Sequence, residues 1–516
     1  MANTTKAGAI VVICSLALVV SFLWWRQAKR ADMNTTVLRV AFPANDDVFS
    51  YDPSKIFYAH QYILLENLFS QLVTYDTKGE IVSGIAERFE WAGSDARFVL
   101  RKNLTTIDGD KIDAHDVVLS MKRLFILQSN THGDLGRLLC GGKILKSLED
   151  NCENLCVEND YTLVMHFPRK DPFLFSMLTS VDFSVLPKRS VDNKTLKIID
   201  FRNTSGPYYV EGKTGSTDIE LAANPSHFCF SNKMPQRVKI VPALEDKRSR
   251  SLQLFKERSV DMLTTAEISN SAEIMKYSEA SGDVELFKTI PIKLAALTFT
   301  PTGVLRLSIE ERFQISALIK KIILPKLLNG GGAEAAPQLF PSFGQGALSS
   351  TQLKELESKS AMGKEDVFKG KFTVWNLPKD YWPDLQKHFP NAEFKYIMAL
   401  PGHADYKKLG LEEPELFFHR TDTSIKEDIS FFSYYMSGYF FSVHGEKGAA
   451  WVSDYAKTEN LETRMRILNQ LHFDTLISAI TVPLTFSPYV AAVRKPWHFD
   501  FFALHAGTTF WRLKWD

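Results

Sequence analysis

The length of the chain is the feature that most limits its possible folds. At 516 residues it exceeds the size at which one hydrophobic core stops growing, so we predict two or three lobes. Apolar residues make up 45% and charged residues 23%, as in ordinary globular proteins. The formal net charge of +1 provides no long-range field that would attract nucleic acid. The composition therefore argues against nucleic-acid binding.

The N-terminal residues differ from the rest of the chain. Gly8 to Trp25 carry no charge, and as a helix rising about 1.5 Å per residue they would nearly span a bilayer. Two tryptophans lead directly into Arg26 without a small-residue cleavage site, which favours an uncleaved anchor over a cleaved signal. The basic residues after the segment outnumber those before it, which taken alone predicts the orientation opposite to export. We predict a membrane anchor or signal segment over residues 1–32.

Short strand and helix signals alternate along the remainder of the chain. Alternating apolar residues in Val37 to Phe42 predict a strand, and the longest helical patterns cover Ile309 to Leu328 and Leu461 to Ile477. A further helix is expected near Asp246 to Glu257. Because the two kinds of element are mixed throughout, we predict an α/β or α+β class.

The clearest local signal is the start of a helix at Asp113. The Asp113 side chain can accept hydrogen bonds from the first free amides of a helix, and Asp116 is the acidic partner three residues later. An apolar face then continues to about Leu127. Asp108 and Asp116 could be read as a pair of catalytic carboxylates, but a turn and a helix cap account for them better.

Four cysteines lie outside the N-terminal segment: Cys140, Cys152, Cys156 and Cys229. In an exported protein Cys140 could pair with Cys152 or with Cys156, and the alternative is that the thiols are buried or free. Cys152 and Cys156 have no second ligand pair at a spacing typical of zinc sites. We therefore predict no metal site.

Several short motifs follow one another along the chain. The longest series lies between Leu100 and Arg123 and contains LRKN, DG and AHDVVLSMKR. The other motifs are Tyr51-Asp52-Pro53, Glu66 to Phe69, Leu72-Val73, Gly84 to Glu87, Asn203 to Tyr208, Asn224-Pro225, Val482 to Leu484 and Lys495 to Trp497. In this order they resemble the family 5 solute-binding proteins, which include oligopeptide-, dipeptide- and nickel-binding receptors of bacterial ABC importers.

The chain departs from the family pattern in some places. Phe228 stands where the family usually has a tryptophan, and Asp110 and Lys111 replace the usual Thr-Pro. Residues 330–420 match only weakly. The region expected to face the ligand is therefore the part that the resemblance describes least.

The resemblance implies a fold of the periplasmic-binding-protein type II class. Such a fold has two mixed α/β lobes with a hinge and an inserted subdomain, here preceded by one N-terminal hydrophobic helix. The implied boundaries are 33–70, 199–290 and 491–516 for the first lobe, 71–198 for the inserted subdomain and 291–490 for the second lobe.

The resemblance also implies a function. The protein would capture a small ligand, in most such proteins an oligopeptide, in the cleft between the lobes and deliver it to the permease subunits of an ABC importer. It would act as a monomer without a cofactor at the periplasmic face of the inner membrane. The chain has no G-x-S-x-G, H-E-x-x-H or Walker A sequence, so no catalysis is expected. The alternatives are a membrane-tethered ligand sensor without a dedicated importer and a membrane-anchored peptidase-type hydrolase.

The resemblance assigns Asp422 to the ligand, because peptide-binding members have an aspartate there that meets the ligand's amino terminus. The tryptophan and alanine that usually precede this aspartate are absent. A helix N-cap or a solvated loop acid is the alternative role. Arg420 and His419 could meet a ligand carboxylate or tune the pocket, and surface roles are the alternative for both.

An aromatic run follows Asp422 and consists of Phe431, Phe432, Tyr434, Tyr435, Tyr439, Phe440 and Phe441. Such rings could line the cleft and receive apolar side chains of a ligand, although an aromatic cluster more often belongs to a core. From this run we select Tyr434 and Tyr435 as candidate ligand contacts. Tyr51 and Trp375 are selected on the same reasoning.

Overall fold

The computed structural model describes most of the chain after the N-terminal segment. The described residues are 37–42, 50–56, 59–128, 133–171, 174–211, 219–245, 248–263, 271–329, 332–341, 344, 346–362, 368–397, 407–422, 450–451, 454–455, 458, 460–501 and 509–515. The predicted anchor and the candidate residues Tyr434 and Tyr435 lie outside these ranges. Within them, no helix has both the length and the apolar character needed to cross a bilayer.

Helices and short strands alternate along the described chain, as the sequence predicts. The helices are α1 Ala59–Leu68, α2 Ala114–Leu127, α3 Gly133–Leu139, α4 Leu174–Met177, α5 Ser251–Lys256, α6 Ser271–Ala280, α7 Pro301–Arg306, α8 Ile309–Leu328, α9 Ser350–Met362, α10 Trp382–His388 and α11 Leu461–Ile477. The strands are β1 Val37–Phe42, β2 Val73–Tyr75, β3 Ile81–Ser83, β4 Ala86–Ala92, β5 Asp95–Leu100, β6 Leu155–Asn159, β7 Thr162–Met165, β8 Tyr208–Glu211, β9 Ile219–Ala223, β10 Arg237–Pro242, β11 Leu244–Glu245, β12 Arg248–Ser249, β13 Met262–Leu263, β14 Val284–Lys288, β15 Lys293–Phe299, β16 Glu334–Ala335, β17 Phe372–Trp375, β18 Ala392–Lys395, β19 Leu416–Asp422, β20 Thr481–Ser487, β21 Val490–Arg494, β22 Trp497–His498 and β23 Lys514–Trp515.

One sheet forms the centre of what we call the first lobe. Within the described ranges it has seven strands in the order β14-β21-β13-β1-β10-β9-β8. The predicted strand β1 is parallel to β10 and β13. Its side chains alternate between two cores, because Leu38 and Val40 face one layer while Ala41 packs on the opposite side with Leu252 of α5 and Ile274 of α6.

A second sheet forms the centre of the second lobe. As far as the structure describes it, six strands follow the order β16-β20-β15-β19-β17-β18. All residues of β15 are buried, because Leu294 and Ala296 pack against α9 and α11 while Ala295 and Leu297 pack against α8 and α10. A strand covered on both faces reads as a nearly continuous apolar run, which is the pattern of this segment.

The inserted subdomain lies between the two passages of the chain through the first lobe. Strands β4, β5, β7 and β6 form its sheet, and α2 and α3 pack over one face. Cys140 and Cys152 form a disulfide, whereas Cys156 and Cys229 are free thiols. The sequence left open whether Cys140 pairs with Cys152 or with Cys156, and the structure contains the pair with the shorter loop, Cys140–Cys152.

Two predictions about helix starts have different outcomes. The capping box of α2 is confirmed, because Asp113 Oδ1 accepts from the backbone of His115 at 2.8 Å and Asp116 Oδ2 accepts from the backbone of Asp113 at 3.0 Å. The helix predicted from Asp246 begins later, at Ser251. The physical reason is that the strands β11 and β12 pair as a hairpin and occupy the start of the predicted helix.

The chain leaves the first lobe after α1 and returns before β8, and the leaving and returning segments are bonded to each other. Ser70 N donates to Ser205 Oγ at 3.0 Å, and Val185 N donates to Ser70 O at 2.9 Å. Gly206 N donates to Leu68 O at 2.9 Å, and a Cβ at Gly206 would overlap the backbone of Leu68. We call these five residues the joint.

One face of α2 supports the joint through two of its motif residues. Leu186 N donates to Ser120 Oγ at 2.7 Å, and Lys188 N donates to Asp116 Oδ1 at 2.8 Å. Asp116 is buried, and this burial raises the pKa of its carboxyl to about 6 although two backbone N–H groups favour the charged form. Both side chains therefore fix the returning segment against the helix.

The third motif residue on this face is Arg123, one turn further along α2. Its side chain is only 2% exposed and forms an ion pair with Asp52 of the first lobe. Arg123 Nε also donates to Leu196 O at 2.7 Å. The motif residues Asp116, Ser120 and Arg123 thus connect the inserted subdomain to the segments around it.

Candidate functional site

Two short connections join the described parts of the lobes. Residues 289–292 link β14 to β15, and residues 488–489 link β20 to β21. The connections are bonded to each other, because Thr289 N donates to Tyr489 O at 3.0 Å and Tyr489 N donates to Thr289 Oγ1 at 2.8 Å. We call this pair of segments the hinge.

The strand directions place one edge of each sheet at the hinge. In the second lobe β15 begins there, β20 ends there, and β19 ends there because it is antiparallel to β15. In the first lobe β13 is antiparallel to β21, so the carboxyl ends of β13 and of its parallel partner β1 point toward the hinge. We call the region between these edges the cleft. Ligands of α/β proteins commonly bind at the carboxyl ends of parallel strands.

Lys293 opens β15 at this edge of the second lobe. It is 3% exposed, and its Nζ lies 4.8 Å from the centre of the Tyr489 ring. In the sheet it stands directly opposite Asp422 of β19 on one side and Ser487 of β20 on the other. The sequence analysis did not select Lys293, although a lysine at the start of an otherwise apolar strand is a signal that could have identified it.

The candidate Asp422 is the last residue of β19. Its position at the hinge-facing edge brings its backbone to the cleft, beside the first residue of β15. Contact with the amino terminus of a ligand stays a prediction.

His419 lies on the same strand but is buried within the lobe. Its Nε2 is 2.9 Å from Thr298 Oγ1, which is in turn 3.0 Å from Thr481 Oγ1. Burial lowers the pKa of His419 to about 3, so the ring is neutral at pH 7. The alternative of a surface role is wrong for His419, and a neutral ring cannot offer a positive charge to a ligand carboxylate.

Arg420 is exposed, as its alternative surface role predicts. Neighbouring residues of a strand point to opposite faces, and the Arg420 guanidinium accordingly lies 5.3 Å from the ring of Phe418 rather than beside His419. A role in binding a ligand carboxylate stays a prediction for this residue.

The candidate rings Tyr51 and Trp375 are both buried. Trp375 ends β17, is 1% exposed and packs with Phe417. Tyr51 is 4% exposed and belongs to the core of the first lobe, where its ring centre lies 6.1 Å from that of His60. Both rings are therefore core residues in this structure, so a ligand could reach them only if the surrounding residues moved.

A small cavity beside the joint brings a serine, a histidine and a cysteine together. Ser70, His227 and Cys229 line it. His227 Nε2 is 3.0 Å from Ser70 Oγ, while its Nδ1 accepts from Cys229 N at 3.2 Å. Burial lowers the pKa of His227 to about 3 and raises that of the Cys229 thiol to about 12. These groups are a structural hydrogen-bond chain, because neither an ionised thiol nor a basic imidazole is present at pH 7.

The described residues also contain no cluster of three or more His, Cys, Asp or Glu side chains placed to hold a metal ion. The geometry that remains is a pair of sheet edges at a hinge, with charged residues of the second lobe at the edge of its sheet. Such an arrangement suits binding between lobes and closure about the hinge.

Comparison by sequence supports a relation to known binding proteins. Residues 80–301 match the family model described as bacterial extracellular solute-binding proteins, family 5 Middle. A putative binding protein of Haemophilus influenzae is 30% identical over 182 residues, which are 34% of this chain and 33% of that protein. The alignment thus spans about a third of the length of this curated relative.

Comparison by structure covers nearly the whole fold. The murein tripeptide binding protein MppA of Escherichia coli has a TM-score of 0.72 at 15% identity, over 93% of this chain and 98% of that one. OppA of Haemophilus influenzae, in a complex with the peptide RPPGFSPFR, has a TM-score of 0.70 at 14% identity, over 93% of this chain and 99% of that one. At these identities the likeness establishes a shared fold, mixed α/β and of the periplasmic-binding-protein kind.

Proposed function

Because this chain belongs to the bacterial extracellular solute-binding proteins of family 5, we propose that it captures an oligopeptide in the cleft and delivers it to an ABC importer. The observation that carries the proposal is the hinge. Two bonded connections allow the lobes to approach each other, and a ligand that contacts both sheet edges stabilises the closed state more than the open one. A receptor of this kind needs such differential affinity and no catalytic group.

We propose that the ligand's amino terminus lies near Asp422. A carboxylate holds an ammonium group most strongly where water is excluded, and this residue lies at the edge of the second-lobe sheet that faces the hinge. Arg420 is the proposed partner for a ligand carboxylate, because it is exposed and belongs to the same strand. The proposed aromatic contacts are Tyr434 and Tyr435.

We also propose that residues 8–25 anchor the protein at the periplasmic face of the inner membrane. The support is the uncharged apolar run followed directly by basic residues. If the run is an uncleaved anchor, the protein stays in the membrane pellet after carbonate extraction and retains its N-terminal peptide in mass spectrometry. Release into the soluble periplasm without that peptide would show a cleaved signal instead. The lobe and subdomain boundaries given in the sequence analysis, and a monomeric state, are also part of what we propose.

Native mass spectrometry of the purified full-length protein tests the function. We expect intact peptides to be bound, and an added library of tetrapeptides to bind without being cleaved. Recovery of shortened peptides would support the hydrolase alternative instead. Failure of every tetrapeptide to bind would remove the peptide-receptor proposal.

Titration calorimetry tests the site, with variants of the protein and a tetrapeptide that the natural protein is found to bind. We expect Asp422→Ala to weaken binding by about tenfold or more, since a charge-assisted contact is lost. The matched control is Asp384→Ala, because Asp384 is a partly exposed acid of the second lobe that pairs with Lys326 at 3.0 Å. That variant should bind as the natural protein does. Equal affinity of the Asp422 variant and the control would remove Asp422 from the site.

A further inference from the structure

One ion pair joins the inserted subdomain to the second lobe. Nη1 of Arg464 lies 3.5 Å from Oδ1 of Asp171. Asp171 precedes α4 and belongs to the inserted subdomain, whereas Arg464 lies in the first turn of α11 in the second lobe. The pair therefore connects parts of the chain that lie on opposite sides of the hinge.

The course of the chain places Arg464 near the cleft. Residues 478–480 connect the end of α11 to the start of β20, and β20 then runs toward the hinge. α11 folds back along the sheet, because its Leu468 and Leu471 share a core with Phe486 of β20. A 17-residue helix and a 7-residue strand have similar lengths, about 25 Å and about 23 Å, so the first turn of α11 lies at the hinge-facing edge.

The second lobe holds the Arg464 side chain in place. This side chain is only 3% exposed, its Nε donates to Thr458 O at 2.5 Å, and its guanidinium carbon lies 5.2 Å from the centre of the Tyr455 ring. An arginine fixed in this way loses little further freedom when a carboxylate approaches it. Because the Asp171 side chain is 45% exposed, it can meet Arg464 and leave it without unpacking the inserted subdomain.

Asp171 moves together with the first lobe. The bonds of the joint and the ion pair between Arg123 and Asp52 fix the inserted subdomain to the first lobe. The second lobe is joined to them through the hinge. Opening of the cleft about the hinge therefore separates Asp171 from Arg464, and the pair forms only while the lobes are together.

We propose that the ion pair between Asp171 and Arg464 is a latch that favours the closed state of the two lobes. Its two residues do not need to touch the ligand, because a contact made only in the closed state shifts the equilibrium toward closure. This inference rests on the proposed function and adds a regulatory contact to the same cleft. Ligand affinity then depends on a contact between the lobes as well as on the contacts of the ligand itself.

The effect of the latch depends on how much of the ligand-free protein is closed. If the free protein is mostly open, loss of the latch lowers ligand affinity by the full stabilisation that the pair provides. If the free protein is mostly closed, loss of the latch shifts it toward the open state before any ligand binds. An ion pair whose carboxylate is half-exposed contributes about three- to tenfold in either equilibrium.

Titration calorimetry of the full-length protein measures the first case, with several tetrapeptides that the natural protein is found to bind. We expect Asp171→Ala to weaken the binding of each by the same factor, about three- to tenfold, because the latch acts through closure. The matched control is Glu158→Ala, which should bind as the natural protein does. The Glu158 side chain is 43% exposed and pairs with Arg97, so this control breaks an ion pair within the inserted subdomain.

Pulsed electron paramagnetic resonance measures the second case without any ligand. Spin labels at Lys146→Cys of the inserted subdomain and Lys354→Cys of the second lobe report the distance between the lobes, with the three cysteines outside the disulfide replaced by alanine. Both lysines are exposed. We expect Asp171→Ala to increase the population of long distances, and Glu158→Ala to leave the distribution unchanged.

Two further variants test the pair itself. Asp171→Glu keeps the charge and should retain most of the affinity that Asp171→Ala loses. Arg464→Gln breaks the contact from the other lobe, and the double variant Asp171→Ala/Arg464→Gln should bind no more weakly than the weaker single variant, because both changes remove the same contact. Additive losses would overturn the pairing. The Asp171 variants decide the question if Arg464→Gln does not fold.

The failure of this inference differs from the failure of the proposed function. If no tetrapeptide binds the natural protein, the peptide-receptor function is wrong, and the spin-label distances alone then decide about the latch. If Asp171→Ala matches Glu158→Ala in both affinity and distance distribution, the latch is wrong. It is also wrong if the losses of affinity differ by about tenfold or more among the tetrapeptides, because Asp171 would then be a ligand contact.

Discussion

The joint and the hinge-facing edge of the second lobe use polar residues for different purposes. At the joint and the α2 face that supports it, the side chains of Ser205, Ser120 and Arg123 each bond to a backbone group or an ion-pair partner of the same chain. At the edge, Arg420 is exposed on the strand that carries Asp422. Some motifs of the family resemblance, Glu66 to Phe69, Asn203 to Tyr208 and the series on α2, lie at the joint or on the face that supports it, whereas the weakly matching residues 330–420 include Arg420 of the edge. Family motifs therefore identify contacts that hold the fold, and the ligand must be inferred from the edge.

The largest effect in this comparison is expected from Arg123→Met, on the α2 face that supports the joint. Removing one member of a buried ion pair leaves Asp52 uncompensated, so we expect the free energy of unfolding to fall by about 3–5 kcal/mol. Peptide affinity should change little in the folded protein. Chemical denaturation combined with calorimetry measures both quantities.

The matched control for that variant is Arg97→Met. Arg97 pairs with Glu158 at 2.6 Å, but both side chains are substantially exposed, so the loss should be below about 1 kcal/mol. Similar losses for the two variants would mean that the Arg123 pair contributes no more than a surface ion pair.

The pH dependence of Asp116 gives the next largest effect. The folded-state pKa of about 6 lies above the unfolded value of 3.8, so the folded state binds the proton more tightly. The stability from this group is therefore fully present below pH 3.8 and is lost as the pH rises through about 6. A shift of about two pKa units corresponds to about 3 kcal/mol.

The variant Asp116→Asn isolates this contribution. The difference in unfolding free energy between the natural protein and the variant should change by about 2 kcal/mol in favour of the natural protein between pH 7 and pH 4. Urea denaturation at a series of pH values measures it. If the natural protein gains no stability over the variant on going to pH 4, or gains it toward pH 7, the backbone N–H donors to Asp116 outweigh the effect of burial on its pKa.

The sequence predicted the elements that depend on local chemistry. The cap at Asp113 and the extents of α8 and α11 were correct because capping and helical periodicity are properties of neighbouring residues. The position of Lys293 opposite Asp422 was not predictable in this way. It depends on a register between strands more than a hundred residues apart, which no local pattern contains.

The candidate site shows the same division. The resemblance pointed to Asp422, and the structure placed this residue at the hinge-facing edge. The burial of His419 and Trp375 could not be read from their types, because histidine and tryptophan occur both in cores and in binding sites. Burial is decided by the packing of α-helices and strands distant in sequence.

A smaller effect is expected from Gly206→Ala at the joint. The added Cβ would overlap the backbone of Leu68, which cannot move without disturbing α1, so we expect a loss of about 1–3 kcal/mol. Gly282→Ala is the control, because no atom lies within 4 Å of the position of its Cβ. The control should melt within a few degrees of the natural protein. If both variants have the same melting temperature, the close approach at Gly206 is not needed for the joint.

The smallest effect on stability is expected from Arg420→Ala, which tests the hinge-facing edge as the earlier variants test the joint. An exposed substitution usually changes the unfolding free energy by about 0.5 kcal/mol or less, and the contact of the Arg420 guanidinium with the Phe418 ring adds about 0.5–1 kcal/mol, so the loss should be small. Peptide affinity should nevertheless fall several-fold if the guanidinium holds a ligand carboxylate, while Lys379→Ala, at another exposed cation of the same lobe, should leave it unchanged. A loss of stability comparable to that of Gly206→Ala would place Arg420 among the residues that hold the fold, and the distinction between joint and edge would fail at this position.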